Sequence, residues 1–477
     1  MKYLLEVPMN TQIKYDIETD VIVIGSGFAG LSAAIEAKNA GVDVLIFEKM
    51  KAIGGNSIIS DGGIAAPETK LQKDRLIKDS KELMYQDIMK SGLELNNKHL
   101  VRLLVDQSKE AFDWSIHYLK VPYLNRVDRF GGHSVARCYT ADKTTGATII
   151  KKQVEKISDL GIKDHRQMYF KSYIFDDFDR VCGAIFRNGY EYNDTQKGED
   201  VYVKANKGVI IATGGFSSDV SFRTKYDSRL TNLIDTTNKP FATAEAIIES
   251  MRIGADTVDM NFIQLGPWAC PDEKGYGVGP IFSEYIVFQY GMIIDPETGN
   301  RFVNELADRK VLSDKMLAIG HPCIAVADAA AVKYSGWDIT PCLKKGIVLT
   351  FDTVEKLARY YHIPEGKIQH TIKTFNEGIT QGEDTAFHKP VIEGAGTFAK
   401  APFYAMRLWP KVHHTMGGLK ITPTCEVVST SGDVIPGLYA AGEVTGGVHG
   451  ASRLGSCAIS ECLVFGRIAG RNAAGNE

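Results

Sequence analysis

The 477-residue chain has no block of like charges, and no apolar run of the roughly 18 residues needed to cross a bilayer. Its 55 Lys and Arg nearly match its 58 Asp and Glu, for a formal net charge of −3. That balance leaves no electrostatic footprint for nucleic acid or for an anionic membrane. The eight cysteines are scattered, with no C-x-x-C, no C-x-x-C-H for attached haem and no zinc spacing. Reduced thiols in a cytoplasmic protein are the reading, and no metal site is expected. The first residues, MKYLLEVPMNTQIKYD, have neither a long apolar segment nor a small-residue cleavage site, so no secretory signal is read there. Their alternation fits an extra edge strand. Repeats, low-complexity tracts and long linkers are lacking too. A chain of this length can bury a large core, in about two to four domains, and its partners are to be sought among small molecules.

What is present begins at residues 21–49, VIVIGSGFAGLSAAIEAKNAGVDVLIFEK. The apolar run from Val21 to Ile24 suits a strand buried on both faces of a parallel sheet. It runs into Gly25-Ser26-Gly27-Phe28-Ala29-Gly30, a G-x-G-x-x-G turn that opens a helix pattern stopped by Gly41. A second strand, 42–47, ends at Glu48. Gly25 permits the tight turn, Gly27 lets backbone approach a pyrophosphate, and Gly30 lets the helix pack closely on the strand. Glu48 lies 18 residues beyond Gly30, where a carboxylate can accept hydrogen bonds from a ribose. Gly-rich turns are common, but this spacing inside strand–turn–helix–strand–acid predicts a dinucleotide site.

The following Gly54-Gly55-Asn56-Ser57, Ser60 and Gly62-Gly63 make a poor core and a good backbone surface for something flat. An ordinary polar loop is the plainer reading; after a ribose-type acid, cover for the flavin half of FAD is the sharper one. Residues 71–118 read as two or three amphipathic helices, 148–160 as another, and 169–188 as a β-meander. Val209-Ile210-Ile211-Ala212-Thr213-Gly214-Gly215 is a buried strand running into a turn, which belongs back in the first sheet. Composition shifts near Pro267 toward aromatics, Pro and Gly. From Asp352, read as a cap with Glu355 as capping-box partner, the pattern is helical. The tail returns to strand, turn and a helix over 458–474 whose N-terminus can face an electron-rich ring. The fold predicted is α/β, a Rossmann-like FAD-binding domain (1–265 and 413–477) interrupted by an inserted α+β capping domain (266–412).

The runs GGNSIISDGG, ATGGF, RFVNELADR, HHTMGG and AAGEVTGGVHGASRLGS resemble the flavocytochrome-c-type fumarate reductases, soluble relatives of the succinate dehydrogenase flavoprotein subunit with urocanate reductases as kin. The resemblance covers about residues 19 to 475, in order and at family spacing. It implies a Rossmann-like FAD domain with a mobile clamp domain inserted, and non-covalent FAD, since no flavin-linking histidine is evident in the GGNS segment. The haem and FMN domains of some relatives are not expected in this chain. Glu48, Asn56, Ser57, His414, Glu443, Ala458 and Ile459 would hold FAD. The cofactor set is completed by Gly25, Gly27, Ala29, Gly30, Lys49, Gly55, Gly62, Gly63, Ala212, Thr213, Gly214 and Ser456. His413 and Arg453 would grip a substrate carboxylate, with Arg309 as proton donor and Glu284 resupplying it. The remaining substrate-side residues are Gly266, Trp268, Tyr285 and Ser456. The implied chemistry is reduction of an electron-poor C=C bond: hydride from flavin N5 to the β-carbon, and a proton to the α-carbon. On residues alone, His413 and His414 could be satisfied loop histidines and Arg309 a surface ion pair.

Departures from that family bear on substrate. Where a second substrate histidine is expected in a Q-x-H-P run, this chain has Gln264-Leu265-Gly266-Pro267. Val287 stands where an arginine is expected, and Arg453-Leu454-Gly455-Ser456 replaces R-L-G-G. One end of a dicarboxylate grip is missing, while Trp268, Tyr285, Phe288 and Tyr290 crowd nearby. The expected substrate is an α,β-unsaturated carboxylate or carbonyl compound other than fumarate, such as an aryl- or heteroaryl-acrylate. A 3-ketosteroid-type dehydrogenase or reductase, with Tyr285, Tyr290 and Tyr404 at its site, is a second reading. A third is a non-catalytic electron-transfer flavoprotein, against which Arg309, His413 and Arg453 together argue. No second nicotinamide-binding fingerprint identifies the electron donor.

Overall fold

The computed structural model describes residues 13–192, 194–392 and 394–475. Of the edge strand read over residues 1–16, residues 1–12 lie outside that range, and residues 13–16 lead into the first strand without being strand themselves. At the centre lies a sheet in which Ile17–Ile24 is flanked by parallel strands Val44–Glu48 and Glu199–Ile211. Ile22 sits opposite Leu45 on one side and Val209 on the other. Val434–Ala440 and Lys163–Arg166 extend the sheet as further parallel strands. The predicted meander is present as antiparallel Met168–Phe175 and Val181–Asn188, paired onward to Glu199–Ile211. Val21, Ile22 and Val23 are wholly buried, as strands covered on both faces must be.

Helix Phe28–Asn39 packs against one face together with the long C-terminal helix Cys457–Ala473. Their approach is close: a Cβ at Gly466 would fall 2.5 Å from the Ala29 carbonyl oxygen, and one at Gly470 2.2 Å from that of Ala33. Gly25 turns the strand into the first helix with φ +103°, a conformation that glycine adopts without penalty. Gly30 lies directly beneath it, and a Cβ there would sit 2.0 Å from the Gly25 carbonyl oxygen.

The chain leaves this body through Ile263–Gly266 and re-enters through Lys411–Thr415, and these two strands pair antiparallel with Gln264 opposite His414. Between them, Met292–Ile294, Cys323–Asp328, Phe403–Leu408 and Leu349–Phe351 form a separate antiparallel sheet. It has its own apolar clusters around Ile286, Met316 and Met406 and around Leu357 and Phe375. The helix expected from Asp352 begins one residue later. Thr353 is its cap, accepting from Lys356 N at 3.2 Å, while Asp352 instead pairs with the Lys356 ammonium at 2.6 Å. All eight cysteines are unpaired. No helix among the described residues is long and apolar enough to cross a membrane.

Candidate active site

Two adjoining cavities run along the top of the parallel sheet and share Phe28, Asn56, Ser57, Glu443 and Cys462 at their boundary. The first is lined by Gly25, Gly27, Ala29, Glu48, Lys49, Gly55, Ala212, Thr213 and Gly214, all candidates from sequence. Gly27 provides no capping side chain to helix Phe28–Asn39, so the helix start is left open to an anion. Glu48 is held by the turn itself: Ser26 donates to its Oε2 through Oγ (2.5 Å) and N (3.2 Å), and Met50 N donates to Oε1 (2.9 Å). Lys49 reaches along the same wall, donating to Thr243 Oγ1 at 2.9 Å and pairing with Glu245, both of which line the cavity as well. Tyr169, Phe170 and Phe241 complete this wall; the meander pattern showed a strand there but not which face met a ligand.

Two cofactor candidates do not line either cavity. Gly30 supports Gly25 from below, and Gly62 abuts Ala141 and Thr145, with Ala141 N donating to its carbonyl at 3.1 Å. An elongated cavity with an open helix start, a fixed ribose-type carboxylate and a Gly-rich wall fits a dinucleotide such as FAD.

The second cavity gathers Asp61, Gly63, Trp268, Tyr276, Arg309, His413, His414, Arg453, Ser456, Ala458 and Ile459. Arg309 opens helix Arg309–Ile319, capped by Asp308. Asp308 also accepts from Ser452 Oγ at 2.9 Å and Ser91 Oγ at 3.1 Å. One carboxylate therefore ties the residue before Arg309 to the residue before Arg453. Glu284 lies in a π-helical turn, Ser283–Val287, a geometry frequent at functional sites. That turn sends consecutive side chains to different partners. Glu284 Oε1 accepts from Arg309 Nη2 at 2.5 Å, and Tyr285 Oη donates to Asp61 Oδ2 at 2.7 Å.

His413 is oriented by Thr237, whose Oγ1 lies 2.8 Å from Nδ1, and edge-on contact with Trp268 fixes its ring. Asn238 Nδ2 donates to the His413 carbonyl at 2.8 Å, and Asn238 Oδ1 accepts from Asn56 Nδ2. Burial first, then the charges of Arg453 and Arg309, hold His413 well below its usual pKa, so it is neutral near pH 7. In the tautomer whose Nδ1 accepts from Thr237, Nε2 carries the ring proton. Gln264 Nε2 donates to the Arg453 carbonyl at 2.8 Å.

The two arginines differ in their partners. Burial would lower Arg309, but Glu284 more than offsets it and holds Arg309 above its ordinary value. Burial raises Glu284 in turn. Arg453 is 4% exposed, and its Nε has no hydrogen-bond partner. Its Nη1 reaches only the Leu454 carbonyl, at 3.1 Å. Burial and the Arg309 charge bring it down to about 10. On the flavin side, burial lifts Glu443 to about 7, against hydrogen bonds from Thr415. Behind His414, His449 Nε2 meets Glu461 at 2.9 Å; these three buried residues could offer ligand atoms within 4.8 Å of one another.

The aromatic crowd expected around the substrate is thinner than the sequence implies. Tyr285 does not line the cavity: it stacks on Trp337 and Phe130, with only its hydroxyl reaching Asp61. Phe288, Tyr290 and Tyr404 pack in the apolar cluster of the inserted segment. Gly266 does not line it either, because Trp268 stands in the way; a Cβ at Gly266 would lie 2.9 Å from the indole ring. Sequence reading passed over Asp61, Thr237, Asn238 and Tyr276. Asp61 stood in plain view inside GGNSIISDGG, as the one acid of an otherwise neutral run.

Residues 20–459 match the FAD binding domain family. The acrylate reductase flavoprotein subunit of Shewanella woodyi is 40% identical over 468 residues, spanning 96% of this chain and 92% of that protein. The cytochrome-type fumarate reductase of Shewanella frigidimarina is 36% identical, over 95% of this chain and 77% of its own length. Among solved structures, a flavocytochrome c3 fumarate reductase in an open conformation superposes with a TM-score of 0.77 at 31% identity. That match covers 97% of this chain and 79% of the other. The parallel-sheet core agrees with these comparisons: the chain belongs to the FAD-binding flavoprotein family of the fumarate and acrylate reductases and is an FAD-dependent oxidoreductase.

Proposed function

We propose that this enzyme reduces the C=C bond of a small α,β-unsaturated monocarboxylate, of which acrylate is the parent, and that fumarate is a poor substrate. The observation that carries the reading is the contrast between Arg309, paired with Glu284, and Arg453, buried with no acidic partner among the described residues. An unpaired buried guanidinium is costly, and a bidentate carboxylate is the partner that suits it. Arg453 and His413 Nε2 grip and polarise that carboxylate, and stabilise charge that gathers on it as the double bond is reduced. FAD, held without a covalent bond by the first cavity, supplies the hydride for the β-carbon when bound. Arg309 gives its Nη proton to the α-carbon and regains one from Glu284, the carboxyl that burial makes more readily protonated. Residues 266–412, carrying Arg309, Glu284 and Trp268, act as a cap that closes over the bond and excludes water.

Trp268 supports a small substrate over a ring-bearing one. The space released by glycine at 266 is already taken by the indole, so the missing histidine widens nothing. The steroid reading loses support because Tyr285, Tyr290 and Tyr404 are outside the cavity lining. The test is kcat/KM, with reduced viologen as donor, for acrylate, crotonate, cinnamate, urocanate, fumarate and an enone. Acrylate or crotonate should lead by at least about tenfold, and fumarate leading the series would overturn the proposal.

A further inference from the structure

Asp61 belongs to no part of the reaction described above, yet it lines the same cavity as Arg309, His413 and Arg453. It is fixed rather than mobile: Gly63 N donates to Oδ1 at 2.9 Å, and Tyr285 Oη donates to Oδ2 at 2.7 Å. Both oxygens accept, the role of an ionised carboxylate. Its field falls on Glu284, Arg309 and Tyr276. Through Tyr285, Asp61 is joined to the π-helical turn whose neighbouring Glu284 holds Arg309, on the wall of the same cavity. Glu284 already neutralises Arg309, which leaves Arg453 as the one lining guanidinium able to serve a substrate carboxylate. Among the described lining residues, a second substrate carboxylate would find no unpaired cation and would share the cavity with Asp61.

Resting on the monocarboxylate reading, we propose that Asp61 enforces it: a fixed negative charge on the cavity wall turns away substrates with a second carboxylate and tolerates neutral or hydrogen-bond-donating groups there. The missing histidine at position 266 removes an attraction for a dicarboxylate. Asp61 adds a repulsion, and specificity commonly uses both.

The test is binding to the oxidised holoenzyme, read from the flavin absorbance change, of fumarate and of fumaramate, its analogue with one carboxylate replaced by an amide. Wild type should bind fumaramate at least about tenfold more tightly, and Asp61→Asn should erase most of that preference. Tyr285→Phe keeps the charge and removes only its hydrogen bond, so the preference should persist. Equal affinities in wild type overturn the proposal, and need no variant to fold. So does an unchanged preference in Asp61→Asn, or its loss in Tyr285→Phe. Binding of neither ligand would instead overturn the monocarboxylate site itself.

Discussion

Arg309 Nη2 and Glu284 Oε1 lie 2.5 Å apart, the carboxylate buried and the guanidinium largely so. They come from two segments 25 residues apart in sequence, one a helix start and the other a π-helical turn. A guanidinium gives up a proton reluctantly, with a free pKa above about 12, so a carboxylate within hydrogen-bond reach is what makes it usable as an acid. Arg309→Met should keep its bound flavin and lose a factor of about 10² to 10⁴ in turnover. Glu284→Gln should slow turnover while leaving binding of a substrate analogue intact. It should also lower stability, because the largely buried Arg309 charge then loses its counter-charge. Thermal unfolding and steady-state rates of the two variants check both halves.

Gly266 and Trp268 form a packed unit, and restoring a side chain at 266 should not restore fumarate activity. Gly266→Ala places its Cβ 2.9 Å from the indole and should cost about 1–3 kcal/mol as overpacking. Gly266→His alone should be worse still. Trp268→Ala together with Gly266→His makes room and should raise kcat/KM for fumarate relative to the single variant. A Gly266→His protein as stable as wild type would contradict this packing.

Glu443 sets a pH dependence of the apoprotein. Burial lifts its carboxyl from 4.5 to about 7, so the folded state holds a proton that the unfolded chain has released. Its favourable contribution is full below pH 4.5 and disappears as pH rises through about 7, a change of at most about 3 kcal/mol. Urea unfolding at pH 5.5 and pH 8 should show wild type losing stability with rising pH, and Glu443→Gln losing less. Parallel pH profiles would remove Glu443 from the account.

FAD should be released intact by acid precipitation, with colour in the supernatant, as non-covalent binding requires. Glu48→Ala removes the ribose acceptor and also the acceptor that pins Ser26 and Met50. FAD affinity should fall by about tenfold or more, measured by flavin fluorescence on dialysis. Glu48→Gln, which keeps part of the turn, should fall less.

The nucleotide half was legible in sequence because its chemistry depends on backbone: strand, glycine turn, helix and acid occupy one local run. Glu48, Asn56 and Ser57, which line the first cavity, were read that way or through the GGNS resemblance. The substrate half joins distant segments. Nothing in residues 276–285 says that Tyr276 faces the cavity while Tyr285 turns behind Asp61, because a π-helical turn shifts every following side chain. Gly266 read as a gap because sequence cannot show that Trp268, two positions on, fills it. Thr237 and Asn238 were invisible for a similar reason: they meet His413 176 and 175 residues away.

The central claim is that Arg453 and Arg309 divide carboxylate binding and proton donation on a small unsaturated acid. Anaerobic single turnover tests it most directly: the enzyme is reduced with one equivalent of dithionite, mixed with acrylate, and flavin absorbance is followed. Wild type should regain its oxidised spectrum with one propionate formed per flavin. Arg309→Met should bind acrylate yet reoxidise at least about a hundredfold more slowly, and Arg453→Met should fail at binding. Reoxidation of Arg309→Met at the wild-type rate, or a wild-type flavin that stays reduced with acrylate and its simple homologues, would contradict the account.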